Sequence, residues 1–441
     1  MSFPRYPTYK ASGVEWLGEV PGHWDVVRVR WLCEIKKRIV GELGFDVLSI
    51  TQKGIRIKDT ESNDGQLSMD YSKYQLVDVG DFAMNHMDLL TGYVDLSPVV
   101  GVTSPDYRVF SIRDPNVCYD KFLLYLFQNG YINKVFFPFG QGSSQLGRWR
   151  LPTEQFKDFL FPVPNIEEQT QIAAFLDHEI AKIDALVIEQ RRLMDLLKEK
   201  RQAVISHAVT QGLNPDAPLR ASGVEWLGDV PEHWTVKAIK WLSPVLRGAS
   251  PRPIDDPKYF DDDGEYAWVR IADASASDGV LKETTQRLSA LGSSLSVKLQ
   301  PGTLFVSIAG TVGKPCITGM KACIHDGFVF FPRLKIDQRL LYRVFEAGIC
   351  YGGLGKMGTQ LNLNTDTIGS IRIAVPPAKE LREMLDFLDG ETARFNELTQ
   401  EAQLTIDLLQ ERRTALISAA VTGQIDVRKL AVESTSSADV S

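Results

Sequence analysis

Two glycine-rich segments carry the residue types that contact nucleic acid. Residues 140–150 read GQGSSQLGRWR, and residues 355–362 read GKMGTQLN. Both combine a flexible backbone with amide, hydroxyl and cationic groups, which hydrogen-bond to phosphates and base edges. Either segment alone is weak evidence, but the two stand at equivalent places, each shortly before a long helical stretch. We therefore predict a DNA contact at two points of the chain.

Two basic, loop-like stretches extend this prediction. Residues 52–58 read QKGIRIK and residues 247–253 read RGASPRP, although a solvated surface explains each of them about equally well. The candidate DNA-binding residues are Gln52, Lys53, Arg56, Lys58, Ser143, Ser144, Gln145, Arg148, Arg247, Ser250, Arg252, Arg270, Thr311, Lys314, Lys356, Thr359 and Gln360.

The sequence lacks complete motifs for catalysis and for metal binding. Residues 310–315, GTVGKP, look like a phosphate-binding loop, but the first glycine is too close to the Gly-Lys pair and Pro315 replaces the Ser or Thr that binds magnesium. No GxGxxG run follows a strand and no Asn-Pro-Pro-Tyr type loop occurs, so the parts for binding S-adenosylmethionine and methylating a base are missing. The five cysteines form no CxxC pair. We predict no catalytic residue, no metal ligand and no cofactor.

The candidate contacts lie in a chain that contains an internal repeat. Residues 11–32 return 210 positions later as residues 221–242, with 15 of 22 positions identical. Phe175-Leu176-Asp177 also returns at residues 387–389, whereas the sequences between the paired segments do not repeat. A duplicated frame that holds two unlike inserts suits a protein that presents two different reading surfaces. The repeated His23 and His233 are expected to pack against the tryptophans that follow them.

Two long helices are predicted at residues 166–210 and 378–422. Aligned through the repeat, both show apolar positions at alternating steps of three and four, which is the seam of a coiled coil. A helix of about 45 residues, roughly 65 Å long, needs a partner. A pseudo-twofold relation between the repeats requires the two helices to run antiparallel. The alternative is that each helix packs separately on its own domain. The predicted seam residues are Leu176, Ile183, Val187, Met194, Leu197, Leu388, Phe395, Ile406 and Leu409.

The inserts combine β-rich runs, such as residues 45–51 and 302–308, with short helical stretches such as 119–127. The predicted fold class is α+β, with two mixed α/β recognition domains separated by an antiparallel coiled coil of two long helices. The predicted domains are residues 1–150 (N-terminal segment and first recognition domain), 151–211 (first helical spacer), 212–362 (second recognition domain), 363–428 (second helical spacer) and 429–441 (flexible tail).

Composition supports a soluble globular protein of 441 residues, 44% hydrophobic and 24% charged. The net charge of −7 argues against a nucleic-acid partner only superficially. Residues 166–211 carry 6 basic against 8 acidic side chains and residues 378–428 carry 6 against 10, so these helical segments hold −6 of the −7. The rest of the chain is nearly neutral. Without an apolar signal segment or a membrane-length apolar run, we expect a cytoplasmic protein.

Several ordered motifs resemble the specificity subunit of type I restriction-modification enzymes. They are the twice-present SGVEWLG(E/D)VPxHW, Val163-Pro164 before IEEQ at residues 166–169, and ERRTALISAAVTG at residues 411–423. The resemblance covers residues 5–428. One departure is AKEL at residues 378–381, where the first copy has IEEQ, and it predicts a different contact at the start of the second helix.

This resemblance implies a non-catalytic subunit that reads a split double-stranded DNA target. Each insert would be a target-recognition domain for one half-site. The chain would bind two methyltransferase subunits along its helices and, through them, restriction and translocase subunits. S-adenosylmethionine, ATP and magnesium would belong to those partners, in the cytoplasm of a prokaryote and away from any membrane. Exchanging one insert should change one half-site, and lengthening a helix by one turn should alter the gap.

Two other classes of function compete with this reading. One is a self-contained restriction or methylation enzyme, against which the missing cofactor motifs argue. The other is a tandem scaffold that joins proteins without reading DNA. The sequence does not specify the DNA target, the gap length or the side chains that contact bases. It also does not specify whether the chain binds DNA without its methyltransferase subunits.

Overall fold

The computed structural model describes residues 3–59, 70–142, 149–352, 354, 363–428 and 430. The chain divides into two compact units, of which the first comprises residues 1–190 and 403–441 and the second residues 191–402. The divisions fall inside two long helices, Ile166–Gln211 and Ala378–Val421. Both helices match the predicted ranges to within one residue at each end, and each unit contains part of both.

The first unit is built mainly from short strands. Its strands are β1 Tyr9–Ala11, β2 Glu19–Pro21, β3 Asp25–Arg28, β4 Cys33–Lys36, β5 Leu48–Thr51, β6 Gly54–Ile57, β7 Gln75–Val77, β8 Phe82–Met84, β9 Val94–Leu96, β10 Gly101–Thr103, β11 Arg108–Ile112 and β12 Leu160–Val163. Its helices are α1 Val29–Leu32, α2 Asp120–Ile132, α3 Thr153–Asp158, the first part of α4 Ile166–Gln211 and the last part of α10 Ala378–Val421.

An aromatic core holds the first unit together. The main sheet is antiparallel, in the order β4-β11-β8-β9. Phe82 and Phe110, on neighbouring strands, stack with ring centroids 4.9 Å apart, and Phe127 of α2 covers Phe110 at 5.0 Å. All three side chains are buried. Because burial of one such side chain stabilises a fold by about 1.5–3 kcal/mol, this cluster fixes α2 on the sheet.

The second unit has a different strand order. Its strands are β13 Leu219–Ala221, β14 Asp229–Pro231, β15 Thr235–Ala238, β16 Leu246–Arg247, β17 Tyr266–Val269, β18 Val280–Leu281, β19 Gln286–Leu288, β20 Val297–Leu299, β21 Leu304–Ser307, β22 Pro315–Thr318, β23 Ala322–Ile324, β24 Phe328–Phe330 and β25 Arg372–Val375. Its helices are α5 Ile239–Leu242, α6 Ile271–Ala276, α7 Ala290–Ser294, α8 Gln338–Ala347, α9 Thr365–Ser370 and parts of α4 and of α10 Ala378–Val421.

Two sheets form the insert of the second unit, in the orders β16-β24-β21-β22-β18 and β19-β17-β23-β20. Strands β17 and β23 run parallel, as do β18 and β22. Every residue of β17 and β21 is buried, which suits the continuous apolar runs YAWV and LFVS. Together with the long helices, these sheets confirm the predicted α+β fold class.

The repeated segments of the chain, here called the frame, hold both inserts in the same way. In the first unit β3 pairs with β12, and Val29 N donates to the Phe159 carbonyl at 2.9 Å. In the second unit β15 pairs with β25, and Ile239 N donates to the Ile371 carbonyl, also at 2.9 Å. Residues 33–159 and 243–371, here called the first and second inserts, therefore leave and re-enter the frame side by side.

The long helices run antiparallel within each unit. In the first unit Gly423, after α10, lies against Trp24, which bonds Glu168 near the start of α4. Further along α4, Asp184 pairs with Arg413 at 3.5 Å. In the second unit the order is the same, because Gly212 at the end of α4 lies beside Glu380 at the start of α10.

The predicted seam residues point inward. Leu176, Ile183, Val187, Leu388, Phe395 and Ile406 are buried, and Met194, Leu197 and Leu409 are half-buried. By contrast, Leu193, Leu196 and Leu408, one position off the seam, are about half exposed. The 3.5-residue period therefore distinguishes the packed leucines from the exposed ones.

A glutamate closes the frame at the start of each long helix, buried in the first copy and half-buried in the second. Glu168 accepts from Trp24 Nε1 at 3.1 Å and bonds His23 Nε2 at 2.8 Å. Glu380 makes the same two bonds, with Trp234 Nε1 at 3.0 Å and His233 Nε2 at 2.7 Å. The glutamate contact is therefore the same in both halves, as expected from the glutamate that IEEQ and AKEL share.

The two halves differ one residue later. Gln169 donates to the carbonyls of Val117 and Pro164 and accepts from the Tyr119 amide. Leu381, at the equivalent position, replaces these hydrogen bonds with a buried apolar side chain.

Replacing Glu168 with alanine should lower the free energy of unfolding by about 1–3 kcal/mol, because it leaves the buried Trp24 indole N–H without its acceptor. The melting temperature measured by circular dichroism checks this. Glu167→Ala is the matched control, since that neighbouring side chain is exposed. Equal melting temperatures for the two variants would contradict the expected role of Glu168.

Candidate nucleic-acid interface

Three predicted residues of the second insert meet at one aspartate, Asp326. Arg252 Nη2 donates to Asp326 Oδ2 at 2.9 Å, and Ser250 Oγ donates to Asp326 Oδ1 at 3.3 Å. Arg247 Nε donates to the backbone carbonyl of the same aspartate. The Arg252 side chain is 76% exposed, so its remaining donors face solvent. Asp326 thus orders a basic loop at the surface.

A close backbone approach positions this loop. Strand β16 ends at Arg247, and Gly248 N donates to the Phe328 carbonyl at 2.9 Å. A Cβ atom at Gly248 would lie 2.2 Å from the His325 carbonyl oxygen, so only glycine fits here. His325 Nδ1 accepts from Gly327 N at 2.8 Å, and burial lowers the pKa of this imidazole. The neutral ring therefore serves as a fixed acceptor in the turn.

Arg270 and Thr311 lie at the same edge of the second insert. Thr311 Oγ1 bonds Ser275 Oγ at 2.7 Å, and Arg270 contacts Asp273 and Thr285. The edge is continuous because Ile308 N donates to the Gly327 carbonyl at 2.8 Å. This edge is formed by the loops that follow β17, β21 and β23.

Lys314 has a supporting position at this edge. Its ammonium group donates to the carbonyls of Ser275 at 2.6 Å and Ser277 at 2.8 Å. These bonds tie the loop at residues 309–314 to helix α6. Because the side chain is half-buried and directed at carbonyls, it holds the loop in place rather than projecting into solvent.

In the first insert, the β5–β6 hairpin presents the predicted residues. Gln52 and Lys53 form its exposed turn, Arg56 is exposed on β6, and Lys58 is half-buried just after that strand. The hairpin is anchored through Asp95, whose Oδ2 accepts from Ile55 N at 3.2 Å. Burial raises the pKa of Asp95. The hairpin that carries these exposed cationic side chains is therefore held in a fixed position.

Only the ends of the two glycine-rich loops can be described. Gln141 and Arg150 pair through backbone bonds of 2.9 and 3.1 Å, and Trp149 Nε1 donates to the Phe137 carbonyl at 2.8 Å. These contacts close the base of the first loop. Seven predicted residues lie outside the described part of the chain, namely Ser143, Ser144, Gln145, Arg148, Lys356, Thr359 and Gln360.

Asp326 is the residue that the sequence did not single out. Its only local signal is its place in a His-Asp-Gly turn after a strand, which many loops share. Its significance comes from Arg247 and Arg252, which are more than 70 positions away in the sequence.

No group of three or more His, Cys, Asp or Glu side chains among the described residues could hold a metal ion. The five cysteines are buried and free, and burial raises the pKa of the Cys118 and Cys350 thiols to about 12. Within the same described ranges, no helix has the length and apolarity to span a membrane.

Residues 21–191 match the family described as type I restriction modification DNA specificity domain. A putative type I restriction enzyme MjaX specificity subunit from Methanocaldococcus jannaschii is 20% identical over 436 residues, covering 93% of this chain and 96% of the relative. A putative type I specificity subunit, S.HindORF215P from Haemophilus influenzae, is 24% identical over 284 residues, covering 64% of this chain and 67% of the relative.

Solved structures share the fold. A chain from a structure of a type I R-M system, reported for its complex assembly and conformational transition, matches with a TM-score of 0.68 at 16% identity, covering 91% of this chain and 98% of its own length. The HsdS subunit from Thermoanaerobacter tengcongensis matches with a TM-score of 0.51 at 16% identity, covering 92% and 98%.

Residues 21–191 thus resemble a type I restriction modification DNA specificity domain, and the chain shares the fold of the solved type I R-M chains.

Proposed function

We propose that this chain reads a bipartite double-stranded DNA target, with one half-site for each insert, and brings methyltransferase and restriction subunits to it. One observation carries the proposal. The frames of the two units make the same strand pairings and the same glutamate contacts, whereas the inserts differ in sheet order and strand direction. A protein that recognises two different DNA sequences requires two different surfaces that are held in the same way.

The candidate loops supply suitable chemistry for both half-sites. Arginine bonds guanine O6 and N7 as well as phosphate, and glutamine and serine contact either bases or phosphates. Arg252 with Ser250 in the second insert, and Gln52 with Lys53 in the first, provide these groups at the surface. We further propose that the paired long helices set the number of unread base pairs between the half-sites.

Exposed apolar side chains support the proposal of partner subunits. The long helices expose large apolar residues outside the seam, namely Leu186, Ile188, Leu193 and Leu196 on α4 and Phe387, Leu398, Leu404 and Leu408 on α10. Such residues are typical of protein interfaces. Two methyltransferase subunits would dock there, and restriction subunits would join through them. S-adenosylmethionine, ATP and magnesium would be bound by these partners.

A repeated tryptophan also favours protein partners. Trp31 and Trp241 occupy the same position of the repeat, and both are 69% exposed. In the second unit, Lys335 N donates to the Leu242 carbonyl at 3.0 Å, so Trp241 lies beside the segment that follows β24. An exposed tryptophan at equivalent places suits two copies of one protein partner.

A gel-shift experiment with the cognate methyltransferase subunit tests the proposed function. The complex should shift DNA that contains the sequence that it methylates. The affinity should fall steeply with salt because phosphate contacts release counterions. A tandem scaffold would bind the methyltransferase subunit without shifting DNA, and that result would refute DNA reading. Binding of S-adenosylmethionine by the purified chain alone would instead revive the enzyme hypothesis.

A further inference from the structure

One carboxylate on helix α4 is held by two donors of the first insert. Lys121 Nζ donates to Asp177 Oδ2 at 2.6 Å, and Tyr125 Oη donates to Asp177 Oδ1 at 2.7 Å. The two donors are four residues apart on helix α2, one turn from each other. Burial, with the neighbouring Asp177 carboxylate, raises the pKa of Tyr125, so its hydroxyl remains a donor. Both carboxylate oxygens are thus committed to one insert helix.

The second unit repeats the arrangement with different donors. Arg343 Nη2 donates to Asp389 Oδ1 at 2.6 Å, and Arg339 Nη1 donates to Asp389 Oδ2 at 2.8 Å. These arginines are again four residues apart, on helix α8. Arg343 also bonds Thr392 Oγ1 at 3.0 Å and Glu346 Oε2 at 2.6 Å, so its guanidinium is fixed from three sides.

The acceptor belongs to the frame, and the donors belong to the inserts. Asp177 lies 11 residues after Ile166 and Asp389 lies 11 residues after Ala378, the first residues of their helices. The aspartate is the last residue of the repeated Phe-Leu-Asp segment. The donors, however, are lysine and tyrosine in one insert and two arginines in the other. The geometry of this contact is therefore the same in both halves, although the donor residues differ.

Each insert thereby gains an attachment to its long helix in addition to its strand junction with the frame. The glutamates at residues 168 and 380 fix the frame itself at the helix start. The aspartates follow nine residues later in each helix, about 13.5 Å further along at 1.5 Å per residue. An insert that is held both at its strand junction and at the aspartate cannot rotate about the junction alone.

We propose that Asp177 and Asp389 are positioning residues that set the rotation of each insert about its long helix, and so determine which gap length the protein accepts. This inference rests on the proposed function. On DNA, a shift of one base pair is about 3.4 Å along the axis and about 34° around it, since one turn takes 10–10.5 base pairs. An insert that is free to rotate should accept half-sites displaced by one base pair.

Asp177→Asn, Tyr125→Phe and Asp389→Asn test the proposal in the full complex with the methyltransferase subunit. Asparagine is nearly isosteric with aspartate but presents one acceptor in place of two, and phenylalanine removes only the Tyr125 donor. The measurement is the methylation rate on DNA with the wild-type gap and with gaps one base pair longer or shorter. Both asparagine variants should lose at least about 10-fold in selectivity for the correct gap, and Tyr125→Phe should lose less. The half-site sequences should not change.

Glu189→Gln is the matched control, since Glu189 is an exposed carboxylate on the same helix α4. Melting temperatures of all variants separate positioning from stability. Wild-type gap selectivity in both asparagine variants, with or without a lower melting temperature, would overturn the proposal. If Asp177→Asn does not fold, Tyr125→Phe and Asp389→Asn decide the outcome. Failure of the wild-type complex to methylate any bipartite sequence would instead refute the proposed function.

Discussion

Under the proposed function, exchanging residues 243–371 for the second insert of a type I specificity subunit should replace one half of the methylated sequence and leave the other half and the gap unchanged. The reason is the mounting of the insert. Strands β15 and β25 bring its two ends side by side, and the Ile239 to Ile371 hydrogen bond closes the junction. Segments whose ends lie close together can be exchanged without moving the rest of the fold.

Sequencing of modified adenines in cells that carry the chimera measures this directly. The reciprocal exchange of residues 33–159 should change the opposite half-site, because β3 and β12 close that insert in the same way. The incoming insert replaces the side chains that donate hydrogen bonds to Asp177 or Asp389. The incoming helix should therefore be checked for side chains that can donate to the same aspartate. Simultaneous change of both half-sites after a single exchange would contradict the modular reading.

The helices were predictable because their signal is local and repeated. A 3.5-residue period over about 45 residues distinguishes seam positions such as Leu388, which is fully buried, from neighbours such as Leu408, which is 55% exposed. The glutamates at 168 and 380 give both helices the same contact at their start, and aligning the third letter of IEEQ with that of AKEL would have revealed it.

The inserts were less predictable because their contacts are long-range. The sequence indicated short strands, but nothing in it gives the parallel pairing of β17 with β23 across 55 positions. The same limit applies to the candidate site. Arg252 and Lys314 look alike as exposed cations in loops, yet one faces solvent beside Asp326 and the other binds two backbone carbonyls. Which cation faces solvent depends on how the loops pack.

Replacing Arg252 with alanine should weaken binding of the complex to its target by about 5- to 150-fold, the effect of about 1–3 kcal/mol for one arginine contact. Asp326 already holds this guanidinium at the surface, so little ordering is needed when DNA binds. Fluorescence anisotropy with targets altered in either half-site measures the loss. A base contact should relax selectivity at one position of the second half-site. A phosphate contact should weaken all sequences equally and reduce the salt slope by about one.

Lys321→Ala is the control, because it removes the same charge from an exposed side chain of the same unit. Lys321 precedes β23, whereas the His325 to Gly327 turn follows it, so the control lies at the opposite end of that strand. The first half-site should be unaffected in both variants, since the second insert alone carries the change. Equal affinities of the two variants for the target would show that the Asp326 edge does not face DNA. The reading surface of the second insert would then have to be sought in other loops.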